Sequence, residues 1–402
     1  MEIYNDIGLR LGTAISELDG RNRNSKWLRE LVTPDAEGVK RLTIEQLVDL
    51  SIMPIIKGIQ QRSSLVDIAC SIGKKLRSKN GYKACSLSAM SGGLVILEAF
   101  ADAKFVATKR TKMRGKNQKR KKHPEYKVFV EDWGNYDALL ESLLSRDIEE
   151  SPLMKPAENW TSGFHPENND SIIRHGNMSA LKKVSETINP LVLGALNKLQ
   201  QTGYRINKEV LEVYKECFHL ETNSPFKHSR EEDAEVRNSL LLEASAIRDL
   251  ASKNIDNSFY HRYSCDFRGR IYPGTAFLHE QSSDNAKGLI RYDFGVPLGE
   301  MGAWFLAVHT ANSIGKDKLP LEQRVHFTNK AMWLLCKWAE DPMKYRGWVK
   351  CDKPWSTLAC AFEWRKIHEH VIVEGKSHLT QPLYFIGSSA HLHKSHIALF
   401  VK

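Results

Sequence analysis

The segment from His261 to Pro273 places the strongest constraint on what this chain can fold into and bind. Within thirteen residues it holds three arginines, one aspartate, one glycine and three Tyr or Phe rings. Guanidinium groups match the geometry of phosphate, and aromatic rings offer faces on which a base can stack. Glycine lets the backbone approach a ligand closely. The segment therefore predicts a clamp for nucleic acid.

Each polar position in this segment has a chemical reason to be a candidate. An aspartate can hold an arginine fork through a bidentate pair, so Asp266 either shapes the clamp or forms a purely structural salt bridge. The candidate nucleic-acid-binding residues are Arg262, Asp266, Arg268, Gly269, Arg270 and Tyr272.

The overall charge agrees with an anionic partner. Lys and Arg number 58 against 48 Asp and Glu, which gives a net charge of +10 over 402 residues. Such a balance favours nucleic acid over an anionic membrane surface, although a basic scaffold protein stays open as an alternative. The seven cysteines are odd in number and form no Cys-x-x-Cys pair, which favours a reducing, intracellular compartment. The most apolar window, Leu87 to Val106, carries three charged residues, so no membrane span is predicted.

A second basic feature is the segment from Lys109 to Lys122, in which nine of fourteen residues are basic and none is acidic. Such a stretch repels itself, so it is predicted to be a mobile loop between ordered segments. It would either grip phosphate without sequence preference or be a solvated insertion with no partner. Its candidate binding residues are Lys119, Arg120, Lys121 and Lys122.

Apolar spacing and capping residues predict an α+β fold that is predominantly helical. Thr43 with Gln46 three residues later has the pattern of a helix-capping box. Short strands are predicted at Tyr126–Phe129 and Leu379–Phe385. The other predicted helices cover Leu65–Leu76, Trp133–Leu144, Asn189–Tyr204, Glu231–Lys253, Leu298–Asn312, Leu321–Ala339 and the apolar Pro354–Trp364.

Taken in order, motifs from about Ser151 to Phe385 resemble the phage-type single-subunit RNA polymerases and their mitochondrial relatives. The resemblance is carried by a proline-tryptophan segment, a helix that ends in Ile-Asn, a D-x-x-G-R motif and the stretches that follow it. These are Pro152–Thr161, Ile188–Lys208, Asp266–Tyr272, Gln281–Leu289, Pro297–Gly299, Trp304–Asn312, Lys316–Lys318, Glu322–Arg324 and Leu358–Trp364.

The resemblance implies a DNA-directed RNA polymerase that binds template DNA, an RNA–DNA hybrid and nucleoside triphosphates. It implies that Arg268 and Arg270 contact the template or hybrid backbone, that Tyr272 packs against the same strand, and that Lys287 lies near the incoming or initiating nucleotides. It also implies a domain order in which an N-terminal helical domain (1–207) precedes a short thumb-like segment (208–256) and an incomplete palm (257–402).

The resemblance fails at the metal site. Family members use Mg²⁺ held by two aspartates, and Ile386 stands where the first of them belongs. Isoleucine offers no oxygen to Mg²⁺, so we expect no metal on this chain alone. Three accounts stay open: a subunit whose partner chain carries motifs A to C, a truncated product, or an inactive nucleic-acid-binding relic. The implied location is a phage-infected cell, with a mitochondrion or a plasmid-borne gene as alternatives.

An incomplete palm would leave apolar surface uncovered. The helix at Pro354–Trp364 is apolar on nearly all sides, which is typical of a buried helix. Because the rest of the palm is absent, we expect this helix to be exposed, and the isolated chain to be poorly soluble or to need a partner. Core packing is expected for the helical tryptophans Trp304, Trp333, Trp338, Trp355 and Trp364.

Overall fold

The structure is a computed structural model that describes residues 2–17, 26–32, 42–79, 86–111, 125–135, 151–163, 171–174, 188–220, 222–266, 269–369 and 382–385. The chain forms two compact units. One comprises Met1–Ile148 and Arg230–Ser245, and the other comprises Glu149–Ser229 and Ala246–Lys402. The three-domain division implied by the resemblance has other boundaries, and it stays a prediction.

The first unit is a group of helices with a two-stranded sheet. Thr43 caps α3 as predicted, because its side chain accepts a hydrogen bond from the Gln46 amide and its own amide donates to the Gln46 side chain. The helices are α1 (Glu2–Ser16), α2 (Lys26–Val32), α3 (Ile44–Gln60), α4 (Leu65–Lys79) and α5 (Ser86–Asp102), and the strands are β1 (Val106–Thr111) and β2 (Glu125–Val130).

The basic segment begins inside a strand. Lys109 to Thr111 belong to β1 and pair antiparallel with β2, in a register that places Lys109 opposite Lys127. The prediction of a mobile loop from Lys109 onward is therefore wrong for these first three residues, because backbone pairing with β2 holds them. Residues 112–124, which include the candidates Lys119, Arg120, Lys121 and Lys122, lie outside the described residues.

The second unit combines helices with two three-stranded sheets. Its helices are α6 (Pro190–Gln200), α7 (Lys208–Cys217), α8 (Ala234–Lys253, shared with the first unit), α9 (Asp284–Leu289), α10 (Gly299–Ile314), α11 (Leu321–Glu340) and α12 (Pro354–His368). Its strands are β3 (Ile173–Arg174), β4 (Tyr204–Ile206), β5 (Tyr263–Asp266), β6 (Ile271–Pro273), β7 (Ile290–Pro297) and β8 (Pro382–Phe385). One sheet has the order β3-β5-β6, and the other has the order β4-β7-β8.

Helix α12 lies at the centre of the second unit. Every residue from Trp355 to Trp364 is buried, and the helix packs against α7, α9, α10 and α11. The expectation that this helix is exposed is wrong, because neighbouring helices of the same chain cover all of its sides.

The exposed apolar side chains of the second unit lie elsewhere. Phe294 on β7, Met301 and Phe305 on α10, and Trp333 on α11 are all exposed. Trp338, Trp355 and Trp364 are buried as predicted, Trp304 is half-buried, and core packing is wrong for Trp333, whose side chain is 64% exposed. Its place on the outer face of α11 explains the difference.

The predicted fold class is confirmed: the described residues form an α+β fold in which helices predominate. Among those residues, no helix combines the length and the apolar character needed to cross a membrane.

Candidate nucleic-acid interface

The D-x-x-G-R motif forms a tight β-hairpin between β5 and β6. Gly269 has φ +76°, a left-handed conformation that costs glycine little and other residues more. The Asp266 carboxylate accepts a hydrogen bond from the Arg270 amide (2.9 Å), and its backbone pairs with Gly269 and Arg270. The aspartate therefore holds the turn by bonding to backbone, and the turn sets the direction of the residue that follows it.

Two arginines of this hairpin differ in their surroundings. Arg270 is exposed directly after the turn. Arg262, at the start of the hairpin, is half-buried, and its Nε has no hydrogen-bond partner in the described part of the chain. Tyr272 is half-buried on β6, opposite Ser264 of β5. One turn thus brings an exposed guanidinium, a second guanidinium and an aromatic ring onto one structural element.

The hairpin is anchored from behind by the proline-tryptophan segment. The Trp160 indole donates to the Gln200 side chain (3.0 Å) and to the Tyr263 carbonyl (3.0 Å). The same Gln200 oxygen accepts from the Tyr263 amide (3.1 Å), and the Gln200 amide group donates to the Glu158 carbonyl (2.8 Å). Gln200 is fully buried on α6, so its hydrogen bonds fix β5 relative to that helix.

The stretch after the hairpin is fixed by α12. The Asp284 carboxylate accepts from the amides of Trp355 (2.9 Å) and Ser356 (3.2 Å) and from the Ser356 hydroxyl (2.5 Å). A Cβ on Gly288 would lie 2.6 Å from the Trp355 Cβ and 2.7 Å from the Trp355 carbonyl. This part of the motif therefore docks α9 onto the first turn of α12.

Lys287 lies between these two packing residues in sequence. It is half-buried on α9, and its charge helps to lower the pKa of Glu280. Burial is the larger influence on that carboxyl and raises its pKa. The charge of Lys287 thus acts on an acidic side chain of the preceding loop.

Sequence reasoning singled out this segment but predicted neither its hairpin nor the residues that support it. The hairpin brings together five of the predicted site residues, which are Arg262, Asp266, Gly269, Arg270 and Tyr272. Lys287 lies on the next helix. Arg268 falls outside the described residues, as does Ile386. The roles of Gln200 and Glu280 leave no signal in the sequence, since an isolated glutamine or glutamate occurs equally often on a surface. Asp284 could have been found as a helix cap only if its distant partner helix had been known.

Comparison with known proteins shows which proteins this chain is similar to. Residues 296–381, from the end of β7 through α10, α11 and α12, match the family model described as DNA-dependent RNA polymerase. The chain is 28% identical over 260 residues to the DNA-directed RNA polymerase of Enterobacteria phage T3, an alignment that covers 57% of this chain and 29% of that protein.

The chain is a relative of the phage-type single-subunit RNA polymerases. It is also 27% identical over 288 residues to the human mitochondrial DNA-directed RNA polymerase, covering 60% of this chain and 23% of that enzyme. The mitochondrial enzyme of Schizosaccharomyces pombe is 36% identical over 116 residues, or 29% of this chain and 10% of its own length. The chain spans less than a third of the length of these polymerases.

The polymerase family uses Mg²⁺, and the described residues do not fit such a site. Among them, no group of three or more His, Cys, Asp or Glu side chains lies close enough to hold a metal ion. Asp266 and Asp284 bond to backbone amides, which is a structural use of their oxygens.

Proposed function

We propose that this chain is the template-binding and hybrid-binding part of a phage-type, DNA-dependent RNA polymerase. The observation that carries the proposal is the β5–β6 hairpin, in which Gly269 and Asp266 fix a turn and leave the Arg270 side chain exposed. The relationship to phage and mitochondrial polymerases supports a nucleic-acid ligand. Its place of action would be a phage-infected cell or a mitochondrion.

The binding mode follows from the residue types on the hairpin. Arg270 would donate to a backbone phosphate of the template strand or hybrid, and Arg262 would supply a second guanidinium. Tyr272 would pack against the same strand. Because none of these contacts reads a base edge, the hairpin would recognise the shape of the duplex rather than its sequence.

Further contacts belong to the same proposal. Arg268 would contact the template or hybrid backbone, and Lys287 would lie near the incoming or initiating nucleotides. The basic segment with Lys119, Arg120, Lys121 and Lys122 would add contacts to phosphate that depend strongly on salt.

Nucleotidyl transfer requires carboxylates that this chain lacks at the expected place. Two-metal transfer needs acidic ligands, and Ile386 stands at the position that the resemblance gives to the first of them. We propose that a partner chain carries motifs A to C and binds the metals and the nucleoside triphosphates. The same isoleucine favours a second candidate function, which is nucleic-acid binding without catalysis.

Equilibrium binding tests the first part of the proposal. The full chain is titrated with a labelled RNA–DNA hybrid at several salt concentrations, and Arg270→Ala is compared with Lys318→Ala. Lys318 is the matched control, because its side chain is 93% exposed and its loss removes the same charge from the same unit. We expect Arg270→Ala to weaken binding by about 1–3 kcal/mol and to reduce the salt slope by about one. Equal effects of the two substitutions would show that only net charge matters.

The basic segment is tested in the same assay. Replacing Lys119, Arg120, Lys121 and Lys122 by Ser should lower affinity for all nucleic acids alike and flatten the salt dependence. An unchanged slope would show that the segment is a solvated insertion without a partner.

Transcription assays separate the two candidate functions. The chain is mixed with template, nucleoside triphosphates and Mg²⁺, alone and with extract of cells that express its genetic neighbours. RNA synthesis only in the presence of a second polypeptide supports the split polymerase, and hybrid binding without synthesis in any mixture supports the non-catalytic protein. Synthesis by the chain alone would overturn the proposal that the metal ligands lie on a partner.

A further inference from the structure

Two buried polar side chains, those of His261 and Glu280, flank the hairpin in the sequence and play no part in the proposed function. Glu280 follows β6 in the loop that leads to α9, and only 3% of the residue is exposed. His261 lies just before β5 and is fully buried. The His261 Nε2 has no hydrogen-bond partner in the described part of the chain. The Glu280 oxygens make no hydrogen bond of ordinary geometry there, although the Tyr263 hydroxyl is close enough to act on the pKa of this carboxyl.

The two side chains face each other across a gap. The His261 Nε2 lies 4.0 Å from a Glu280 oxygen, which is too far for a direct hydrogen bond. The Thr275 hydroxyl holds the other ring nitrogen of His261 at 2.7 Å. The ring also packs against Tyr204, with ring centroids 5.0 Å apart. Because Thr275 and Tyr204 hold the imidazole in place, the ring is not free to rotate and bring its Nε2 within hydrogen-bond distance of Glu280.

The surroundings disfavour a charged imidazole in this gap. Burial lowers the pKa of His261 to about 3, with His279 acting in the same direction. Burial also raises the pKa of Glu280, against smaller effects of Tyr263, Gln281 and Lys287. Tyr204 and Tyr263 join their hydroxyl groups to each other at 3.1 Å, and Tyr292 is the third phenol near the carboxyl. A neutral imidazole cannot form an ion pair with the carboxyl group, so a shared polar ligand is the contact open to both.

We propose that Glu280 and His261 together bind one buried water molecule, which joins the loop after β6 to the segment that enters β5. A buried polar atom without a partner costs free energy, and native proteins satisfy such atoms with ordered water. A water that makes two hydrogen bonds of about 2.8 Å spans a gap of this size. A metal ion fits less well, because the described residues supply no third His, Cys, Asp or Glu ligand.

The water would position the hairpin. The loop that carries Glu280 is tied to β6 by the Gln281 side chain, which donates to the Ile271 carbonyl at 3.0 Å. His261 leads directly into β5. The shared water would thus add a link between the two ends of the hairpin. This inference does not depend on the proposed function.

A crystal structure of the full chain at high resolution tests the assignment directly. We expect a density peak within hydrogen-bond distance of the His261 Nε2 and a Glu280 oxygen. The peak should persist in Glu280→Gln, whose amide oxygen still accepts, and should vanish in Glu280→Met. An empty gap, a direct contact between the two side chains, or a peak with the short distances of a metal ion would each overturn the proposal.

A double-mutant cycle gives a second test in solution. Glu280→Met and His261→Phe each leave one side of the water site without its partner, so each should lower the urea midpoint. The double variant should lower the midpoint by less than the sum of the two, because it removes both polar groups. Additive effects would contradict a shared water. If a variant fails to fold, cross-relaxation between water and the His261 ring protons in the unmodified protein decides: a long-lived water signal supports the site, and no signal contradicts it.

Discussion

Asp284 caps a helix that begins about seventy residues later in the chain, with its carboxylate accepting hydrogen bonds from the amides of Trp355 and Ser356. The amide groups of a first helical turn have no partners within the helix, and a carboxylate there also meets the positive end of the helix dipole. Burial raises the pKa of Asp284, while its three hydrogen bonds act in the opposite direction. One side chain thus joins the polymerase motif around α9 to the most buried helix of the unit.

Asp284→Ala should therefore destabilise the protein by about 2 kcal/mol or more, because two buried amides lose their acceptor. Urea unfolding followed by far-ultraviolet circular dichroism measures this loss. Asp352→Ala is the control, since that aspartate is exposed and lies just before the same helix. Similar urea midpoints for both variants would show that the Asp284 cap stabilises the protein no more than an exposed aspartate does.

Gly288→Ala should be destabilising by about 1–3 kcal/mol, because the added methyl group would overlap the Trp355 backbone and force α9 away from α12. Gly194→Ala is a matched control on α6, where an added Cβ meets no atom within 4 Å. That control should be neutral or stabilise the protein by up to about 1 kcal/mol, because alanine favours helix. Thermal unfolding of both variants checks the contrast, and a stable Gly288→Ala protein would contradict the close packing of these helices.

Gly269→Ala should cost about 1 kcal/mol of stability, because a Cβ is unfavourable at the positive φ of this turn. Gly269→Asn should cost less, since asparagine tolerates the left-handed region better. If the turn directs Arg270 toward nucleic acid, hybrid binding should fall in the order Gly, Asn, Ala. Equal affinity of all three proteins for the hybrid would show that the geometry of this turn does not affect binding.

Acid should destabilise the second unit through its buried histidines. Burial lowers the pKa of His228 to about 4, of His261 to about 3 and of His309 to about 4. The unfolded chain takes up these protons near pH 6.5, so it binds more protons than the folded chain below that pH. Stability should fall between about pH 6.5 and pH 4, by up to about 1.4 kcal/mol per pH unit for each histidine.

Unfolding midpoints measured across this pH range check the acid dependence. His228→Phe keeps an aromatic ring beside Phe226 but cannot take up a proton, so its stability should fall less steeply with acid. His326→Gln on the exposed face of α11 is the control and should follow the unmodified protein. A parallel pH profile for His228→Phe would contradict burial as the source of the effect.

Local features of this protein follow from residues that are close together in the chain. Thr43 and Gln46 specify a capping box through residues three apart, and the described helices follow the apolar spacing to within a few positions. Asp266, Gly269 and Arg270 lie within five residues, so their turn depends only on neighbours in the sequence. The order of motifs indicated the polymerase relationship because it is a property of the chain alone.

Tertiary structure decided which surfaces are covered and which polar groups meet. The all-round apolar pattern of α12 indicated a buried helix, but sequence could not tell that helices of the same chain cover it or that Trp333 faces outward. It could not pair Asp284 with Ser356, or Glu280 with His261, because those partners come together only when separate elements pack. Burial and long-range contact depend on the whole fold, whereas capping and turn formation depend on a few neighbouring residues.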